Sequence, residues 1–138
     1  MEQSSAGYSN TPLLKKLGIT PSMKVLLIDA PSHYASWLQA DIGRQLVSKG
    51  QVPDFVHLFA VDQAGFLKNM PTVLAHSRAN KQIIIWVSWY KKAARKNSDL
   101  SENIIRDFAL ANGLVDVKVC AVSDEWSGLK LVVPLALR

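Results

Sequence analysis

Three short apolar runs, each bounded by turn-forming residues, constrain this chain more than any other feature: Lys24–Ala30 (KVLLIDA), Asp54–Ala60 (DFVHLFA) and Gln82–Trp89 (QIIIWVSW). None alternates polar with apolar residues, as a strand with one wet face would. A continuous run of this length fits a strand covered on both faces. Between the runs the spacing turns helical. Tyr34, Leu38, Ile42 and Leu46 recur every four residues with Trp37 beside them, which predicts an amphipathic helix ending near Lys49-Gly50. Phe66, Leu67, Met70, Val73 and Leu74 predict a second helix, which Pro71 should kink or restart. Strands joined through crossover helices pair in parallel, with right-handed connections.

The two ends of the chain add smaller elements. Thr11-Pro12-Leu13 opens a short helix, LLKKL, with Thr11 as its cap and Pro12 at the first helical position, that closes at Gly18. Residues 1–10, rich in Ser, Gly and Asn, read as a flexible tail, leaving 11–138 as one α/β domain. Towards the C-terminus, Asp99 with Glu102 three residues on forms a capping-box pattern for a helix. Ile104, Ile105, Phe108 and Ala109 supply its buried stripe, and Gly113 stops it. Val115–Val122 and Leu129–Val133 read as two last strands, and the turn SDEWSG between them suits an antiparallel hairpin.

A chain of 138 residues with 49% hydrophobic and 20% charged residues has the makings of a buried core and is not a disordered polymer. Its one cysteine, Cys120, cannot form an internal disulfide, which suits a reducing compartment. The polar start MEQSSAGYSN lacks the order of a secretory signal, and VLLI and IIIWV are too short to span a bilayer. The expected location is the cytoplasm, with no membrane partner. A net charge of +5 favours an anionic partner mildly.

The segments AGYSNTPLLKKLGI, WVSWYKK and GLVDVKVCAV…EWSGLKLV resemble a small bacterial family of unknown function and together span nearly the whole chain. That likeness implies a single domain of this length and brings no activity with it. At the level of architecture, LGITPSMKVLLIDA resembles the first strand of class I methyltransferases and its lead-in, and Phe55 to Val133 resembles their C-terminal half. The resemblance implies a Rossmann-like three-layer α/β domain with a five-stranded, mostly parallel sheet, a C-terminal antiparallel hairpin and the strand order 1-2-3-5-4. Methyltransferases approach their cofactor through a glycine-rich turn after the first strand. Here that turn is Asp29-Ala30-Pro31-Ser32-His33, where Cβ atoms and a proline stand in the way. Methyltransferase activity is therefore not expected, and no cofactor is.

In an open parallel sheet, ligands bind outside the C-terminal ends of the strands. This sequence puts Asp29, Ser32 and His33 there after the first strand, Asp62 after the second, Trp89, Tyr90, Lys91 and Lys92 after the third, and Asp124, Glu125 and Trp126 in the hairpin turn. Asp29 with His33, or Asp62 with a lysine, has the residue types of an acid/base pair. Equally, Asp29 or Ser32 can cap the helix that follows, and Ser32 lacks the glycines of a nucleophile elbow. His57 and His76 have no second histidine or cysteine at ligand spacing, so both read as structural and no metal site is expected. Cys120 reads as a small strand hydrophobe. Lys91, Lys92, Arg95 and Lys96 beside aromatics suit phosphate or single-stranded nucleic acid by charge and stacking, but Trp86 and Trp89, three apart in a strand, face opposite sides and cannot form one stacking platform.

The expected function is a non-catalytic module that recognises an anionic, phosphate-bearing ligand at this rim through Ser32, Trp89, Lys91, Lys92, Glu125 and Trp126. The alternative is a small enzyme built on Asp29, His33 and Asp62. An anionic small molecule is the favoured partner, with nucleic acid not favoured. The first strand should also be an edge strand, yet Val25 to Ile28 carries none of the usual guards. Either the segment from Tyr8 to Leu17 folds over that edge or a second copy of the chain does, and a two-fold homodimer is the expectation.

Overall fold

The computed structural model describes residues 11–48, 50–94 and 96–138. The tail at 1–10 and Arg95 of the basic loop lie outside the described residues. Five strands, β1 (Val25–Ile28), β2 (Phe55–Phe59), β3 (Ile84–Tyr90), β4 (Val115–Ala121) and β5 (Trp126–Val132), form one sheet in the order β1-β2-β3-β5-β4. β1, β2 and β3 pair in parallel, and β5 runs antiparallel to both β3 and β4. Four strands thus point one way and β5 opposes them, in a Rossmann-like α/β arrangement.

Strand alternation sorts the core into two layers. One face packs Leu26, Val56, Leu58, Ile85, Val87, Trp89, Leu129 and Leu131 against α3 (Gln63–Ala79) and α4 (Glu102–Ala111). The other packs Val25, Phe55, Phe59, Trp86 and Trp126 against α1 (Leu13–Leu17) and α2 (Tyr34–Leu38). Trp86 and Trp89 fall in different layers, as their spacing requires. The Trp86 indole N–H donates to the Leu17 carbonyl at 2.9 Å, fixing the end of α1 over β3. Each large side chain buried this way contributes about 1.5–3 kcal/mol.

Four local expectations are corrected. The segment after β1 is not one helix to Lys49-Gly50. α2 stops at Leu38, Gln39 takes a left-handed φ of 56°, and a single 3-10 turn follows at Gly43–Gln45. Tyr34, Leu38 and Ile42 are buried as their spacing demands, but Leu46 is 46% exposed. Pro71 neither restarts nor divides α3, which runs unbroken for 17 residues. Pro71 and Leu67, whose carbonyl loses its N–H partner, both lie on the exposed side, where water can serve that carbonyl. The cap of α4 is Ser101, which accepts from the Ile104 N–H, while Asp99 instead accepts from the Gln63 N–H at 2.8 Å. Thr11 is not the cap of α1; Pro12 holds that position.

β1 is an edge strand, but its outer side is partly covered. The Val47 N–H donates to the Val25 carbonyl at 2.9 Å, and Leu46 bridges Val25 in parallel. No helix among the described residues is long and apolar enough to cross a membrane.

Candidate functional site

The sheet geometry brings the C-terminal ends of β1, β2, β3 and β4 to one rim. The hairpin turn is tied to the β3 end by the Lys91 N–H, which donates to the Glu125 carbonyl at 2.8 Å. The residues picked out by sequence do reach this rim, but they divide into two groups of different character.

The β1–β2 end is acidic. β1 ends at Ile28, and the next residue, Asp29, has a left-handed φ of 56°, a conformation that short polar Asp tolerates better than most residues. Its carboxylate accepts from the Asn69 amide of α3 at 3.2 Å, so it does not cap α2. Ser32 does not cap it either; His33 holds the N-cap position and makes no side-chain cap bond. A cleft of about 480 Å³ opens beside Leu27, Asp29, Ser32, Tyr34, Asp41 and Leu46. Asp62 points elsewhere. It caps α3 by accepting from the Gly65 N–H at 2.8 Å, and it borders a separate, open hollow of about 400 Å³ with Asn97, Ser98 and Asp99. His33 is exposed and stacks on Trp37, with ring centroids 6.4 Å apart. No hydrogen bond or ion pair joins Asp29, His33 and Asp62 to one another among the described residues.

The β3–β5–β4 end carries the cations. Tyr90 stacks on Trp126 with centroids 4.2 Å apart, and the Lys96 ammonium sits 5.8 Å from the Tyr90 ring centroid. Lys96 also pairs with exposed Glu125 at 3.8 Å. Lys92 is exposed and opens a 3-10 turn ending at Ala94. Trp126 is itself only 5% exposed, held edge-on to Phe59, so the accessible aromatic of the pair is the half-buried Tyr90. Trp89 belongs to the opposite core layer and cannot join that group.

Sequence reasoning missed the buried polar chain that links the two ends under α2. The Tyr34 hydroxyl meets His57 Nδ1 at 2.7 Å, and His57 Nε2 meets the Ser88 hydroxyl at 2.7 Å. Phe59 stacks on His57 at 4.3 Å. Burial drives the His57 pKa down to about 3 and the Tyr34 pKa up, so both are neutral at pH 7. Gly128 of β5 lies against this chain. A Cβ there would come within 3.1 Å of Ser88 Oγ, Trp86 Cε3 and Val122 Cγ2. With all three polar groups closed off from solvent, the arrangement holds β2 to β3 and α2 rather than acting on a ligand. His57 is thus structural, as its strand position implied. His76 is buried too, with its Nε2 unpartnered among the described residues. Among those residues no group of three or more His, Cys, Asp or Glu could hold a metal ion.

No protein-family model matches the chain, and no curated protein matches it. Among solved structures it is similar to a protein of the NADB-Rossmann superfamily from Streptococcus agalactiae, at 7% identity and a TM-score of 0.48, over 91% of this chain and 69% of that one. The strand order and register themselves define the fold.

Proposed function

We propose that the chain is a non-catalytic binding module that recognises a phosphate-bearing anion at the β3–β5–β4 end of the rim, in a cytoplasmic setting that keeps Cys120 reduced. One observation carries this reading: Lys91, Lys92 and Lys96 gather beside Tyr90, whose ring already lies under a lysine ammonium. Lysines clustered by an aromatic ring suit phosphate by charge, and a ring face suits a base or other flat group. Only Glu125 is paired with one of these cations among the described residues, and that pair is exposed, where it is worth little.

The enzyme reading built on Asp29, His33 and Asp62 has less support. A general base needs a partner within hydrogen-bond reach, and these three side chains are engaged separately, with Asn69, Trp37 and the start of α3. The test is a thermal-shift series with inorganic phosphate, ATP and S-adenosylmethionine. A ligand bound by the native state at about 100 times its Kd adds about 2.7 kcal/mol of stability. ATP should raise the melting temperature, and Lys91→Ala with Lys92→Ala should abolish most of that rise. A rise with S-adenosylmethionine alone would refute the reading.

A further inference from the structure

The α1–α2 side of the sheet carries a second set of cations that continues the rim downward. On this side α2 sits over β2 through Tyr34 and His57, and α1 sits over β3 through Leu17 and Trp86. Beyond β3 the same side presents Lys130 of β5, half-buried, and Lys118 of β4, exposed. The two lysines stand directly opposite each other in the antiparallel register.

That register depends on a bulge. Asp116 pairs with Leu131 and Lys118 pairs with Lys130, so one extra residue, Val117, enters β4 between them. In a regular ladder with Val117 paired to Lys130, Lys118 would follow Asp116 onto the α4 side of the sheet, where Arg106 binds Asp116 at 3.0 Å. The bulge turns Lys118 away from those acids and aims it at Lys130, the kind of re-aiming that bulges perform beside functional sites. Like charges directly opposite on a sheet are destabilising, and among the described residues neither lysine has an ion pair. Burial and the nearby Lys118 charge both lower the Lys130 pKa. Lys16 of α1 and Lys91 of the rim reach the same place: together with Lys118 they oppose the upward shift that burial imposes on the Cys120 thiol. Lys118 and Lys130 thus face each other with no carboxylate paired to either among the described residues, and an anion bound there would relieve their repulsion.

We propose that this strip, from Tyr90 and Lys91 at the rim to Lys118 and Lys130 on the α1–α2 side of β5 and β4, binds single-stranded nucleic acid along its phosphate backbone. The proposal rests on the anion reading above and names its ligand. Lys130 lies four residues along β5 from Trp126, a span of about 13 Å at the usual strand rise. One phosphate cannot touch both ends of that span, whereas a chain of phosphates can. Tyr90 stacks on Trp126 and carries the exposed Lys96 ammonium over its ring, so a base stacking there takes the place of Lys96, a contact that inorganic polyphosphate cannot make.

The experiment is fluorescence anisotropy on the full chain with a labelled single-stranded oligonucleotide of about 12 nucleotides, within the usual range of such sites, in parallel with ATP as a probe of the rim alone. Lys118→Ala with Lys130→Ala should weaken oligonucleotide binding about tenfold or more. It should also reduce the slope of log affinity against log salt by about 1.4, two phosphate contacts at about 0.7 each. The same double variant should leave ATP binding unchanged and should melt no lower than the parent, since it removes a repulsion. Lys118→Gln with Lys130→Gln provides the same reading with strand-compatible length. Lys91→Ala with Lys92→Ala should weaken both probes. Oligonucleotide binding indifferent to Lys118 and Lys130, while ATP still depends on Lys91 and Lys92, would overturn this proposal and leave the rim reading standing. Failure of both probes to bind would overturn both. Inorganic polyphosphate displacing the oligonucleotide at equal phosphate concentration, or a duplex binding more tightly than the single strand, would overturn the assignment to single-stranded nucleic acid.

Discussion

The two ends of the rim are built from the same strand termini and have opposite chemistry. At the β1–β2 end, Asp29, Asp41, Asp62 and Asp99 line two hollows, and Asp29, Asp62 and Asp99 are each spent on a local bond, to Asn69, Gly65 and Gln63. At the β3–β5–β4 end, half-buried Lys91 and exposed Lys92 and Lys96 accompany a stacked aromatic pair. The first end is where open α/β sheets commonly hold nucleotides. Here its carboxylates would repel a phosphate, and Pro31 removes a backbone N–H that such a site would use. Charge and engagement, rather than position in the fold, are therefore what favour the β3–β5–β4 end in the proposed reading.

Between the two ends, the chain Tyr34–His57–Ser88 locks α2, β2 and β3 together. His57→Ala should have the largest effect of any single substitution at or between the two ends. It removes a fully buried ring stacked on Phe59 and leaves two buried hydroxyls without partners, a loss of about 3–5 kcal/mol. Urea unfolding measures it, and a loss below about 1 kcal/mol would mean the chain is not the lock described.

The same histidine sets a pH dependence. Its folded pKa, about 3, lies below the unfolded value of 6.5, so between these limits the unfolded chain binds the extra proton. Its contribution is therefore present above pH 6.5 and is lost as pH falls towards 3. Going from pH 7 to pH 5 should cost on the order of 2 kcal/mol, at about 1.4 kcal/mol per pH unit below the unfolded pKa. His57→Phe should flatten that slope, and an unchanged slope would assign it to other groups.

Much of this architecture was legible because burial on both faces writes itself into composition. β1, β2 and β3 are continuous apolar runs, and all five residues of β2 are buried. The helix expected from Tyr34 to Lys49-Gly50 fails for an instructive reason. Four-residue spacing reports which side chains must be buried, and Tyr34, Leu38 and Ile42 are, but a turn of helix followed by a left-handed Gln39 buries them as well. The capping pattern read at Asp99 fails because Asp99 is drawn off by Gln63 of α3, a contact made across 36 residues, and Ser101 caps α4 instead. The rim cations could be read from the sequence, because they lie close together along it. The polar chain could not, because its members lie 23 and 31 residues apart. Nor could the pairing of Lys118 with Lys130, which needs the bulge at Val117.

Two substitutions of smaller effect probe the contrast between the ends from either side. Asp62→Ala should cost about 1 kcal/mol of stability through the lost cap on α3, with no change in phosphate affinity, since this carboxylate serves the helix and not the ligand. Calorimetric melting alongside ATP titration would show both. Glu125→Gln should act the other way: it releases Lys96 from an exposed pair, so stability should move by less than about 1 kcal/mol while ATP affinity rises about two- to threefold, roughly what removing one nearby like charge contributes near a surface. A fall in affinity would mean that Glu125 helps to hold the ligand.

The most direct measurement is isothermal titration of ATP into the parent chain and into two variants, one carrying Lys91→Ala and Lys92→Ala, the other Asp29→Asn and Asp41→Asn. With the site at the β3–β5–β4 end, the lysine variant loses about tenfold or more in affinity and the aspartate variant binds as the parent does. Loss of binding in the aspartate variant, with the lysine variant unaffected, would place the site in the cleft beside β1 and contradict the assignment to the basic end.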